Sequence, residues 1–197
     1  MSIQKFSALD ICHAILKKHV KQGDICIDAT AGRGFDTAFL CELAGENGHI
    51  HSFDIQQDAI DSTAELLAEK GLSDRCELHL ESHSEMDKYA EEGSVSCITF
   101  NFGWLPGGDH SINTRKETSI AAIEKGLSLL KDGGLMSLVI YYGRDTGFEE
   151  KDALLEYVKT IDHRKYTVIE MPFANRPNCP PIPVFIWNGT PDMSVFD

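Results

Sequence analysis

The chain has 197 residues, 42% of them hydrophobic, and a formal net charge of −13 at neutral pH. That length suits one globular domain spanning residues 1–197, with a substantial core and no Pro/Gly/Ser-rich linker to divide it, and the acidity counts against a broad basic surface for gripping nucleic acid and in favour of a cationic ligand. Residues 1–100 hold 8 Lys and Arg against 18 Asp and Glu, whereas residues 101–197 hold 10 against 13, so any polyanion would be met by the second half.

Phe6 to Val20 carries apolar residues at Phe6, Leu9, Ile11, Ala14, Ile15 and Leu16, close to a 3.6-residue period, with Ser7 as its cap; this predicts a helix that Lys21-Gln22-Gly23-Asp24 ends. A strand Ile25–Asp28 runs into a glycine turn and a helix from about Gly34 to Leu43, and a second strand covers His49–Ile55. Gln57 to Lys70 is a helix with Ala59, Ile60, Ala64, Leu67 and Ala68 inward and Gly71 as its stop. A third strand at Cys76–Ser82, a short helix at Glu85–Glu91 and a fourth strand at Ser94–Asn101 follow. Next come a helix from about Glu117 to Leu130, a stop at Lys131-Asp132-Gly133-Gly134, a fifth strand Leu135–Tyr142 and a helix from about Phe148 to Ile161. Strand-like runs at Tyr166–Met171 and Val184–Trp187 flank a proline-rich loop, as an antiparallel hairpin at a sheet edge would. Strict strand–helix alternation specifies a doubly wound α/β sandwich of about seven strands.

No run of about eighteen uncharged apolar residues occurs, so neither secretion nor a membrane span is expected. The six cysteines, Cys12, Cys26, Cys41, Cys76, Cys97 and Cys179, are scattered without a C-x-x-C pair and read as small hydrophobes in a reducing cytoplasm; loop residue Cys179 alone raises the question of reactivity. His49 and His51 share a strand face, yet no third ligand is evident in the sequence, so no metal site is expected. A homodimer is compatible with these features.

Ligands of open α/β sheets bind outside the carboxyl ends of the strands, here Asp28, Asp54, Ser82-His83 and Asn101. The run Asp28-Ala29-Thr30-Ala31-Gly32-Arg33-Gly34-Phe35-Asp36-Thr37 brings backbone amides close to an adenosine-containing ligand, and Asp54, twenty positions after Gly34, has the spacing of a carboxylate that accepts from ribose hydroxyls. Dinucleotide sites want a third glycine where Thr37 stands, which disfavours an NAD-dependent oxidoreductase. The acid at Asp28 suits a cationic cofactor, and S-adenosylmethionine carries a sulfonium and an ammonium. Asn101, a side-chain amide at a strand tip followed by Phe102-Gly103-Trp104-Leu105-Pro106, is the candidate for chemistry on an amine.

The run Asn101 to Leu105 resembles the Asn-Pro-Pro-aromatic loop of class I amino-methyltransferases. A closer resemblance, carried also by Phe53-Asp54-Ile55-Gln56, Gly107-Gly108-Asp109-His110, Tyr141-Tyr142-Gly143 and Asn175-x-Pro177-Asn178-x-Pro180-Pro181, is to the small bacterial methyltransferases long labelled rRNA methylases, and it runs from the first helix to the final hairpin. It implies a single-domain, Rossmann-like class I methyltransferase fold with a seven-stranded, mostly parallel sheet. It also implies methylation of the aminomethyl group of 5-aminomethyl-uridine, with or without 2-thiolation, at the tRNA wobble position. On that resemblance Asp28, Thr30, Ala31, Gly32, Arg33, Gly34, Asp36, Thr37, Asp54, Ile55, Gln56, Ser82, His83 and Asn101 hold the cofactor. Asn101, Asp109 and His110 serve the chemistry, and Phe102, Trp104, Leu105, Tyr142, Arg144, Asn175 and Arg176 meet the substrate, with a tRNA anticodon loop as partner. Arg144 and Arg176 stand where the family pattern has His and Gln, and both add positive charge; Arg115, Lys116, Arg164 and Lys165 are further candidates for phosphate contact. The residues leave open rRNA or a small metabolite as substrate, and a cofactor-binding protein without catalysis.

Overall fold

The computed structural model describes residues 6–103 and 115–196, the side chains of 144–146 excepted. In chain order the elements are α1 (Ala8–His19), β1 (Ile25–Asp28), α2 (Phe35–Ala44), β2 (His49–Asp54), α3 (Gln57–Lys70), β3 (Cys76–Leu80), β4 (Val95–Phe102), α4 (Lys116–Leu129), β5 (Leu130–Ile140), α5 (Arg144–Val158), β6 (Tyr166–Glu170) and β7 (Ile182–Asn188). The strands form one seven-stranded sheet in the order β3-β2-β1-β4-β5-β7-β6, parallel from β3 to β5 and antiparallel at β7 and β6.

Period-2 alternation along the strands separates two cores. Ile27, Phe53, Ile98, Phe100, Met136, Leu138 and Ile186 meet α4 and α5 on one face. Cys26, Ile50, Cys97, Val139, Phe185 and Trp187 meet α1, α2 and Leu67 of α3 on the other. Buried on both faces, the central strands read as continuous apolar runs. Cys12, Cys26, Cys41 and Cys97 are enclosed as small core residues, while Cys76 and Cys179 are half-buried.

Local chemistry explains the element ends. Ser7 and Asp10 form a reciprocal capping box, with Asp10 N donating to Ser7 Oγ (3.2 Å) and Ser7 N to Asp10 Oδ2 (2.7 Å), which starts α1 one residue past the predicted cap. Gly71 closes α3 in the left-handed conformation. The inward faces differ from the sequence pattern: α1 buries Ala8, Cys12, Ile15 and Leu16 and leaves Phe6 and Ala14 exposed, and α3 buries Thr63 beside Ala59 and Leu67 while Ala64 and Ala68 face solvent. Alanine fits either environment, so its periodicity does not fix a face.

Lys131-Asp132-Gly133-Gly134 is a bulged strand start, not a stop: the pairing shifts from Val95↔Leu130 to Cys97↔Leu135. Asn188 Nδ2 holds it by donating to the Leu130 and Lys131 carbonyls (2.9 and 3.1 Å), and Lys131 reaches Asp24 Oδ1 (2.8 Å). The helix expected at Glu85–Glu91 is a 3-10 segment over His83–Lys88, and α5 begins at Arg144, ahead of the expected Phe148. Among the described residues no helix is long and apolar enough to cross a membrane.

Candidate active site

The chain runs outward from β1 to β2 and β3, then returns to place β4 on the other side of β1. The crevice at that reversal, between the carboxyl ends of β1 and β4, is where an open α/β sheet takes its ligand. The turn after β1 is tied to its neighbours by backbone bonds: Ala29 N donates to Thr99 O (2.9 Å) and Ala31 N to Phe53 O (2.9 Å). Gly34 caps α2 at φ +80°, and a Cβ there would come within 2.9 Å of Thr63 Cα. Only glycine meets both demands, and Thr63 of α3 thereby packs directly on the turn.

Asp54 at the tip of β2 grips this turn, accepting from Gly32 N and Gln56 N, both at 3.0 Å. Burial pushes its carboxyl up, against the lowering effect of those amides. Ile55 beside it is 58% exposed and Phe35 at the start of α2 is 70% exposed, so two large apolar side chains flank the turn in contact with solvent. Arg33 Nη1 donates to Ser62 Oγ (3.0 Å) on α3.

Asp28 does not face the crevice as the sequence pattern suggests. Its carboxylate is fully enclosed, accepting from Thr37 Oγ1 (2.6 Å) and Thr30 N (3.1 Å), with Thr37 Oγ1 also 2.9 Å from the enclosed Ser52 Oγ. Burial, and then the charge of Asp36, pushes its carboxyl up to about 7. Thr37, where a dinucleotide site would carry glycine, is therefore the brace that fixes β1 to α2. Ser82 caps the 3-10 segment, and the enclosed His83 points Nδ1 at Ala29 O (3.2 Å), so its Nδ1–H donates there; burial pushes this imidazole down to about 4.

At the tip of β4, Asn101 N donates to Thr30 Oγ1 and Asn101 Nδ2 to Asp36 Oδ2, each at 2.7 Å. The other oxygen of Asp36 lies 2.7 Å from His13 Nε2 on α1, whose ring stacks on Phe39 (4.2 Å between centroids). Asp36 thus orients the amide, leaving Asn101 Oδ1 as an acceptor that is buried and without a hydrogen-bond partner among the described residues. A buried acceptor of this kind calls for an explanation, and its place at the carboxyl end of β4 makes a ligand donor one that fits. His13 was not legible as a site residue: in the sequence it is one polar position on an amphipathic helix, and only the packing of α1 against α2 brings it to Asp36.

Of the predicted substrate residues, Phe102 is fully enclosed, stacked on Phe100 at 4.9 Å, and serves the core instead of standing free for a base. Tyr142 is half-buried against Phe148 (5.7 Å) with Lys151 Nζ 5.4 Å above its ring. Asn175 is exposed, and the Arg176 guanidinium lies 3.7 Å from the Phe173 ring centroid. The loop bearing them approaches the end of β5, where a Cβ at Gly143 would lie 4.0 Å from Cys179 Cβ. Trp104, Leu105, Asp109 and His110, and the side chain of Arg144, lie outside the described residues.

The residues present fit S-adenosylmethionine: a glycine turn whose Gly34 leaves no room for a side chain, an acid at the second strand tip and flanking apolar surface. Sheet order and site together define a class I, S-adenosylmethionine-dependent methyltransferase. Within that class the chain belongs to the family described as "Putative rRNA methylase", whose model matches residues 50–187. A crystal structure described as a "putative rRNA-methylase" from Clostridium thermocellum is 48% identical, covering 94% of this chain and 99% of its own with a TM-score of 0.91. A structure described as "a putative methyltransferase" from Streptococcus mutans, solved in complex with SAH, is 33% identical with a TM-score of 0.84, covering 93% of this chain and 99% of its own. The chain is also 34% identical over 182 residues, 88% of its length, to the chloroplastic tRNA (mnm(5)s(2)U34)-methyltransferase of Arabidopsis thaliana, and spans 66% of that protein.

Proposed function

We infer that this protein, a single methyltransferase domain, methylates the amine of a 5-aminomethyl-uridine at the wobble position of tRNA. The observation that carries the inference is Asn101 at the tip of β4, its amide fixed by Asp36 so that Oδ1 is left to accept. The Arabidopsis relative, named for its action on position 34 of tRNA, supports the substrate class.

Bound in the crevice, S-adenosylmethionine supplies an electrophilic methyl group on a sulfonium. This chain's part is alignment and exclusion of water. An alkyl amine has a solution pKa of about 10, as lysine does, so its lone pair is free only once a proton has left. Asn101 Oδ1 accepts one N–H of the amine, which aims its lone pair once the proton has left. The Asp36 carboxylate, with His13 behind it, keeps the amide from turning over. Asp109 and His110 are our candidates for accepting the proton. Trp104 and Tyr142 are candidates for stacking on the splayed-out base of a single-stranded loop. Arg115, Arg144 and Arg176 are candidates for its phosphates, with Arg176 already held by Phe173.

The test is to incubate tRNA from cells blocked in wobble modification, bulk rRNA and a metabolite pool with the protein and labelled S-adenosylmethionine, then digest to nucleosides for mass spectrometry. Label in the 5-methylaminomethyl nucleoside of tRNA is expected. Label confined to rRNA or to the metabolite pool would replace this substrate, and no transfer to any of the three would reduce the protein to a cofactor binder.

A further inference from the structure

At the amino-terminal end of the sheet, away from the crevice, four side chains converge on one face of β2 and β3. His49 opens β2 and His51 follows two residues later, so both point to the same side of the sheet. Glu77 of β3 pairs in register with His51 and supplies a third group that the sequence does not associate with them. Its Oε2 lies 3.6 Å from His51 Nδ1 and 3.9 Å from His49 Nε2, and one ligand atom from each of the three residues falls within 4.8 Å of the others. His79 Nε2 is 3.2 Å from that same His51 Nδ1, its ring held between Phe53 (4.5 Å) and Tyr89 (3.9 Å).

Two imidazoles and a carboxylate form a donor set suited to zinc and its first-row neighbours, and two such atoms on one tetrahedral ion sit about 3.3 Å apart. The two Glu77 separations, 3.6 and 3.9 Å, are close to this, and the two imidazoles fall within 4.8 Å of each other, so the set has to draw in to grip an ion. Glu77 and His49, with side chains 57% and 44% exposed, have the freedom to close the difference, while His51 is almost enclosed at 10%. His49 and His51 stand five and three residues before Asp54, about 17 and 10 Å back along β2 at 3.3–3.4 Å per residue, so both imidazoles are set back from the strand tip that grips the cofactor turn.

We propose that His49, His51 and Glu77 bind one divalent ion of the zinc class, with His79 or water completing the coordination, and that the ion clips the edge strand β3 to β2. β3 is an edge strand, paired on one side only, so a cross-strand ligand set would secure that border of the sheet.

Untagged, chelator-stripped protein titrated with Zn²⁺ by calorimetry should take up about one equivalent, and its thermal midpoint should rise on zinc addition. E77Q and H49Q, both at exposed positions and expected to fold, should each bind zinc at least about tenfold more weakly, a loss in the range that perturbing a metal site produces, and should lose the thermal response. Co²⁺ bound in place of zinc should give a nitrogen/oxygen spectrum. No uptake, equal affinity in wild type and both variants, or thiolate-to-cobalt bands placing the ion on cysteine would each overturn the proposal.

Discussion

Replacing Asp28 by Asn isolates the electrostatic consequence of enclosing a carboxyl under the cofactor turn. The side chain is fully buried, and burial together with Asp36 pushes it up to about 7 from a usual value of 3.8. A rise of about three pH units amounts to about 4 kcal/mol between the two protonation states. The sign follows from proton counting. Between roughly pH 4 and pH 7 the folded protein keeps this proton and the unfolded chain has lost it, so stability falls with rising pH across that window and is level above it. Asn has the shape of the protonated acid. Its Nδ2–H can donate to Thr37 Oγ1, which turns to donate to Ser52 Oγ, so the enclosed network stays satisfied. The variant should match or fall slightly below wild type near pH 4 and gain on it steadily toward pH 7, by up to about 4 kcal/mol. Urea unfolding of both proteins at half-unit pH steps measures this, and His51 and His83, which Asp28 does not influence, cancel in the difference. A difference independent of pH between 4 and 8 would refute the reasoning.

Asn101→Ala should lower turnover by about 10²-fold or more, as misplacing a reacting group does, while leaving S-adenosylmethionine affinity close to wild type; an equal loss of both, measured with labelled cofactor and by calorimetry, would put Asn101 in the wrong role. His13→Ala should lower kcat by about tenfold with little change in KM for tRNA, because it removes only the outer support of Asp36; an unchanged kcat would detach α1 from the site. Gly34→Ala should cost about 1–2 kcal/mol for its left-handed backbone alone and more for the contact with Thr63, lowering the thermal midpoint by several degrees and weakening cofactor binding; a midpoint equal to wild type would contradict the geometry of the turn. Affinity for tRNA should fall steadily with added salt, and filter binding between low and physiological salt would expose an uncharged mode of recognition if it did not.

Much of the molecule follows from local rules that act within a few residues. Apolar runs bounded by glycine and charged turns placed the strands, Ser7 with Asp10 placed the first helix, and the proline-rich loop between two β-rich runs marked the antiparallel edge. The glycine turn, Asp54 twenty residues beyond it and Asn101 at a strand end were legible because each is a residue type tied to a backbone position. The inward faces of α1 and α3 were less legible, since alanine and cysteine carry too little hydrophobic contrast to fix a rotation that packing decides.

What the sequence by itself determined is the order of the elements and the chemistry available at their ends. What only the tertiary structure decided is which of those groups meet. Asp28 carries a charge in the sequence and is a sealed brace in the fold, because Thr37 and Ser52 close over it from α2 and β2. Phe102 follows a site residue along the chain yet points into the core, because successive strand residues face opposite sides of the sheet. His13 reaches Asp36 across 23 positions and Glu77 reaches His51 across 26, and neither pairing leaves a trace in local spacing. Contacts of that kind depend on strand order and helix packing, which the whole chain fixes together.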